Sequence, residues 1–230
     1  MAAQTESEAR PRVPLSRDRV LRAAINLADK NGIEALSMRR LGQELGVEAM
    51  SLYNHVANKE DVLDGITELI LGEINDVVGT IEAPPNDWKM AMRQRVLAAR
   101  QVLLQHPWAP EVMESRSEIS ASAMHYYDSL IGLFLAAGFS VDLTHHAMHT
   151  LGSRALGFTQ ELYDDSADLD DAQLEVFIQQ MAPEFPHITA MVKAITHDVD
   201  TTLGWCDDQT EFEFALDLIL DGLERLRDRT

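Results

Sequence analysis

Ser37-Met38-Arg39-Arg40-Leu41-Gly42-Gln43-Glu44-Leu45-Gly46-Val47-Glu48-Ala49-Met50-Ser51-Leu52-Tyr53-Asn54-His55 is the stretch on which the reading of this chain turns. Ser37 is an N-cap residue type, and Leu41 and Leu45 fall four apart on one face of a helix predicted over Met38–Leu45, which Gly46 ends. After Val47-Glu48, a second short helix is predicted over Ala49–Asn54. Two short helices joined by a Gly-containing turn dock at a steep angle, which leaves the second free to enter a major groove about 12 Å wide. Leu36, Leu41, Leu45, Val47 and Leu52 supply the apolar contacts that would hold the pair on the preceding helix.

That preceding helix follows Ser16 as N-cap, has Asp18 in its first turn, and stops at Asn31-Gly32. Its apolar face is Val20, Leu21, Ala24, Leu27 and Ala28. Downstream, Asn58 caps a fourth helix with Asp61 three residues on, and the stripe Val62, Leu63, Ile66, Leu69, Ile70, Ile74 and Val77 follows. Pro84-Pro85-Asn86 breaks the pattern. Beyond it, apolar residues keep a three-to-four spacing, predicting helices over 88–105, 120–137, 142–162, 172–180, 185–196 and 209–227, with a short turn near 110–114. No stretch alternates with period two for long, so the fold class is all-α. The expected organisation is a disordered tail over 1–15, a three-helix head with its connecting fourth helix over 16–79, and a larger helical part over 84–230.

A net charge of −19 argues against nucleic acid until its distribution is read. Arg10 to Glu60 holds nine basic and six acidic residues, whereas the rest of the chain after residue 60 holds ten basic and thirty acidic. A mildly basic head on an acidic body suits a DNA-facing unit. The longest apolar run, Leu130 to Phe139, is ten residues, about half of what a membrane crossing needs. Residues 1–14 lack the apolar core of a secretory signal, and Cys206 is the one cysteine, so the expected setting is a reducing cytoplasm. The five Asp between Asp164 and Asp171 lack the Gly of a calcium loop and read as a solvated turn.

The segments Gly32 to Leu41, Leu45-Gly46-Val47, Ser51-Leu52-Tyr53-Asn54-His55-Val56 and Asn58-Lys59 together resemble the N-terminal domain of the tetracycline-repressor (TetR) family. A weaker similarity extends to Gly138-Phe139-Ser140, Leu156-Gly157 and Leu218 to Leu226. The resemblance implies a DNA-binding domain over 16–79, a ligand-binding and dimerisation domain over 84–230, and a homodimer that straddles a palindromic operator in double-stranded DNA and is released by a small molecule. It places Ser37, Met38, Arg39, Ala49, Met50, Ser51, Tyr53, Asn54, His55 and Lys59 at the DNA. Arg39 has the guanidinium fork for guanine O6 and N7, though a surface helix charge is the plainer reading. Tyr53 is either a phosphate donor or a packing ring, and His55 and Lys59 suit phosphate. Met38, Ala49, Met50 and Asn54 depart from the residues of the tetracycline repressor, so no operator sequence carries over.

For the effector, the expected walls are Trp88, Met92, Trp108, Met113, Tyr126, Tyr127, His149 and Phe158, since aromatic and Met side chains with polar tips favour ligand cavities. Each is equally a core residue type. Tetracycline-binding members of the family hold the drug's magnesium through a His in the turn after the fifth helix, where this chain has Met113. A thioether is a poor ligand for a hard cation, so a largely apolar or aromatic effector is expected, with no metal or cofactor. Dimerisation is expected on the helices over 142–162 and 209–227, using Gly152, Phe212, Ala215, Ile219, Leu223 and Leu226. His145, His146 and His149 suggest a metal-dependent enzyme as an alternative, because His145 and His149 lie four apart, but no third ligand is evident. No nucleophile elbow, phosphate loop or dinucleotide fingerprint is present. A ligand-independent DNA-binding protein is the other alternative, against which stands the size of the C-terminal domain.

Overall fold

In the computed structural model helices are the regular structure found among the residues that the structure describes, which are 14–82, 84, 87–157, 176, 179–180, 182–187, 189–190 and 208–229. Residues 1–13 of the tail expected over 1–15, the acidic turn, Phe158, Cys206 and most of the helices expected over 172–180 and 185–196 lie outside them. The helices are α1 (Arg17–Asn31), α2 (Met38–Leu45), α3 (Ala49–Leu52), α4 (Lys59–Gly79), α5 (Trp88–Gln105), α6 (Ala109–Glu114), α7 (Ala121–Ala136), α8 (Val141–Gly157) and α9 (Asp208–Arg227). A single 3₁₀ turn, Ile33–Ala35, links α1 to α2. The segment near 110–114 is thus a helix, started by Pro110 in its first turn.

Three helix starts are set by local chemistry. Ser16 Oγ accepts from Arg19 N at 3.2 Å, Ser37 Oγ from Arg40 N at 3.3 Å, and Asn58 Oδ1 from Asp61 N at 2.9 Å. Each satisfies one backbone donor that the first helical turn leaves without a partner. Two ends are set by glycine. Gly32 (φ 77°) closes α1, and Gly46 (φ 67°, ψ 33°) adopts the left-handed conformation after α2.

The chain divides into two compact units, the first comprising residues 1–82 and 97–129, the second residues 83–96 and 130–230. The expected boundary near 84 is one of the division points, while residues 97–129 group with the N-terminal part. In the first unit α1 packs on α2 and α4 through Val20, Leu21, Ala24, Leu27, Leu41, Leu63 and Ile66, all buried. Burying each of the Val, Leu and Ile side chains contributes about 1.5–3 kcal/mol. Polar contacts bind residues 97–129 to α4. Arg116 reaches Glu60 at 2.8 Å and Asp64 at 3.2 Å, and Asn75 Nδ2 donates to the Ser122 carbonyl at 2.8 Å. Burial would push the Glu68 carboxyl up, but hydrogen bonds from the Ser122 and Ser120 hydroxyls and the Ser122 N–H hold it below the usual carboxylate range.

In the second unit Trp88, Phe134 and Phe139 form an aromatic knot. Trp88 meets Phe139 edge-on at 4.8 Å between centroids and Phe134 at 5.8 Å, with the Arg227 guanidinium 5.6 Å from the Trp88 ring centre. Helix α9 has three faces. Phe212, Leu216, Leu220 and Leu223 are buried. Glu213, Asp217, Asp221 and Glu224 pair with two cations of α5: Arg93 with the first two at 2.6 and 2.7 Å, Lys89 with the last two. The third face leaves Phe214 61% and Leu218 57% exposed, beside exposed Leu226.

The start of α4 is also tied to the start of α1. Arg17 Nη2 lies 2.6 Å from Asp61 Oδ1, and Asp61 Oδ2 accepts from Ala57 N at 2.7 Å. The Arg17 hydrogen bond, then the Ala57 N–H, hold the Asp61 carboxyl below its usual value of 3.8. A carboxyl whose folded pKa is depressed stabilises fully above its unfolded value, and that contribution is lost as pH falls through the folded value. Because Arg17 is half exposed, solvent limits the effect to about 1 kcal/mol. Asp61→Asn should therefore melt below the parent at neutral pH. The gap should close as pH is lowered beneath the usual carboxylate range, which thermal melts across pH will check.

Candidate nucleic-acid interface

The turn between α2 and α3 is tight for a specific reason. A Cβ built on Gly42 would lie 2.9 Å from the Val47 carbonyl oxygen and 3.1 Å from Ala49 N, both backbone atoms that cannot yield as a side chain does. The Val47 N–H donates to the Gly42 carbonyl at 2.9 Å, which locks the two segments together. Leu41 and Leu52 are fully buried beneath this crossing, so α3 is held by the same core that holds α2. Glycine in a helix interior costs roughly 1 kcal/mol against alanine, so its presence at 42 was a signal of close approach that the helix pattern alone conceals.

Helix α3 ends at Leu52, two residues earlier than the sequence pattern suggested. Glu48, its N-cap, makes no side-chain capping bond, and Tyr53 to His55 continue as a turn in which the His55 and Val56 N–H groups both donate to the Leu52 carbonyl at 2.8 and 3.0 Å. Outward from this pair project Arg39, Met50 (74% exposed), Tyr53 (45%) and Asn54. Met38, Ala49, Ser51 and His55 are half buried, and Ser37 and Lys59 are exposed at the starts of α2 and α4. Arg39 and Lys59 make no ion pair with any described residue, in contrast to Arg17, Arg22 and Arg116. Ser37 is committed to capping, and the His55 carbonyl accepts from Arg17 Nη1 at 3.3 Å. The ten residues that the sequence assigned to DNA thus fall on α2, α3, the turn after it and the start of α4.

The effector and dimer residues are placed less uniformly. Trp88 is 2% exposed inside the aromatic knot and Met92 is fully buried. Trp108 is buried, with its indole N–H donated to Asp29 Oδ1 at 2.8 Å. Met113 and Tyr126 are half buried, and Tyr127 and His149 are exposed. In α9, Phe212 and Leu223, expected in the dimer contact, are buried within the unit itself. Ala215 and Ile219 are half buried, Leu226 is exposed, and Phe214 and Leu218, which the sequence reading passed over, join them on that side. Gly152 of α8 is half buried with open space where a Cβ would be. His145 and His149, both exposed on α8, stack edge-to-face at 4.6 Å, and no group of three or more potential metal ligands occurs among the described residues. Among those residues no helix is long and apolar enough to cross a membrane.

Gly42→Ala should separate α2 from α3 at a cost of about 1–3 kcal/mol and abolish duplex DNA binding. Gly72→Ala, where an added Cβ meets nothing within 4 Å, should leave both fold and binding intact. Melting curves and DNA binding by anisotropy on both variants check the contrast.

Comparison with known proteins agrees with this layout. Residues 20–66 match the family of bacterial regulatory proteins of the tetR family, and residues 82–227 match the tetracyclin repressor-like C-terminal domain. An HTH-type transcriptional regulator of Saccharopolyspora erythraea is 34% identical over 58% of this chain, and the match spans 55% of that protein's length. The HTH-type transcriptional repressor DrrR1 of Streptomyces coeruleorubidus is 29% identical over 94% of this chain and 80% of its own. The solved structure of the Streptomyces coelicolor TetR family protein ActR in complex with (S)-DNPA superposes with a TM-score of 0.67 at 26% identity, covering 92% of this chain and 98% of that one. With its helix-turn-helix within residues 20–66 and the C-terminal family match over residues 82–227, more than half of the chain, this chain is a member of the TetR family.

Proposed function

We propose that this protein is a transcriptional repressor that binds a palindromic operator as a homodimer through residues 37–55 and is released by a small, largely apolar or aromatic effector. The observation that carries the proposal is the pairing of a tight α2–α3 crossing with an outward surface of Arg39, Met50, Tyr53 and Lys59, whose cations form no ion pair among the described residues. Phosphate attraction supplies affinity, and a guanidinium at a guanine edge supplies discrimination. The ligand-bound state of ActR supports the effector half of the reading. Effector binding would act through the C-terminal part, where Met113 replaces the magnesium-binding His of the tetracycline-binding branch.

Arg39→Ala should weaken binding to the DNA upstream of the protein's own coding sequence by about 1–3 kcal/mol and relax discrimination at one base pair. Lys59→Ala should weaken operator and random duplex alike and lower the salt slope by about one. Equal losses on both DNAs for both variants would defeat this assignment of roles.

The homodimer reading rests on the third face of α9. Phe214 and Leu218 are large, apolar and exposed, and α9 packs against α8, so the two helices supply a surface for a four-helix contact with a second copy. Phe214→Arg with Leu218→Arg should give folded monomers that have lost operator affinity. Sedimentation together with circular dichroism will show this, and a folded double variant that sediments as a dimer would overturn it.

A further inference from the structure

Asp29 stands in the last turn of α1, where a helix's own dipole disfavours a carboxylate. Its reason for being there lies outside the helix. Oδ1 accepts the Trp108 indole N–H at 2.8 Å and the His106 Nδ1–H at 2.8 Å. A carboxylate only accepts, so the imidazole is the donor and its Nδ1 carries the proton. Both donors are buried, His106 9% exposed and Trp108 7%, and their rings meet edge-on at 6.0 Å. Burying a Trp N–H and a His N–H without an acceptor is costly, and the pair solves that cost with one oxygen borrowed from α1.

The two ends of α1 are therefore held differently. Its start is fixed to α4 by Arg17 and Asp61, and its end to the turn between α5 and α6 by Asp29. Between them lies the floor on which α2 packs. The carboxylate joins the helix-turn-helix to a turn that lies 77 and 79 residues further along the chain.

We infer that Asp29 is a positioning residue that transmits the state of the His106–Trp108 turn to α1 and so to the recognition surface, making this turn a control point for operator binding. The inference rests on the repressor reading above. A turn that shifts must either carry the end of α1 with it or leave two buried donors without an acceptor. Trp108→Phe removes the N–H together with part of the indole's buried volume, Asp29→Ala removes the acceptor and leaves the indole whole, and Asp29→Asn keeps an accepting Oδ1.

Hydrogen exchange read by mass spectrometry on the full chain is the test. Trp108→Phe and Asp29→Ala should each speed exchange by at least about fivefold over residues 17–31 and 37–55, and the double variant should be no faster than the faster single one. Asp29→Asn should retain most of the protection. Both loss variants should bind the DNA upstream of the coding sequence at least about fivefold more weakly. Exchange changes confined to residues 103–116, additive effects in the double variant, or operator affinity unchanged in both loss variants would overturn the inference. If the parent protein itself does not bind that DNA while the exchange pattern appears as expected, the repressor reading fails and the mechanical link stands.

Discussion

The contact on which the DNA-facing surface depends is the approach of α2 to the backbone of Val47 and Ala49 at Gly42. With no side chain there, the Val47 N–H closes on the Gly42 carbonyl, and α3 leaves the turn at an angle fixed by main-chain atoms. Leu41 and Leu52 then complete a shared core over α1. A helix as short as Ala49–Leu52 has no stability of its own in water. Its exposed face is presented in one orientation because the crossing and the core beneath it leave no other.

The parts of the fold that were legible in the sequence are those governed by neighbours in the chain. Ser16, Ser37 and Asn58 cap the helices expected of them, because an oxygen that reaches an N–H three residues on is a local event. Gly46 ends α2 for an equally local reason. What escaped the sequence depends on contacts distant along the chain. Apolar residues occur on two sides of α9, and periodicity does not tell which side meets the protein's own core: Phe212 and Leu223 are buried in the unit, whereas Phe214 and Leu218 are exposed. Trp108 and Trp88 read equally as cavity walls and as core, and only the position of Asp29 and of the Phe134–Phe139 pair distinguishes their surroundings.

The charge distribution is consistent with this division of labour. Much of the acidity of α9 is met within its own unit by Lys89 and Arg93, whose own pKa values are raised by those carboxylate hydrogen bonds. Asp61 and Asp64 are likewise engaged by Arg17 and Arg116. The arginines of the first unit are thereby sorted into those that hold helices together and those, such as Arg39, that face outward unpaired among the described residues. A chain of net charge −19 can face a polyanion through such a surface, because screening limits distant repulsion to about 8–10 Å at ordinary salt.

The central claim, that α2 and α3 read a major groove as a symmetric pair, is most directly tested by methylation protection of the DNA upstream of the coding sequence. Guanine N7 lies in the major groove and adenine N3 in the minor groove, so one reagent reports both. The account predicts two clusters of protected guanine N7 related by a two-fold axis, their centres about one helical turn or a multiple of it apart. Protection confined to adenine N3, or a single unpaired cluster, would contradict it.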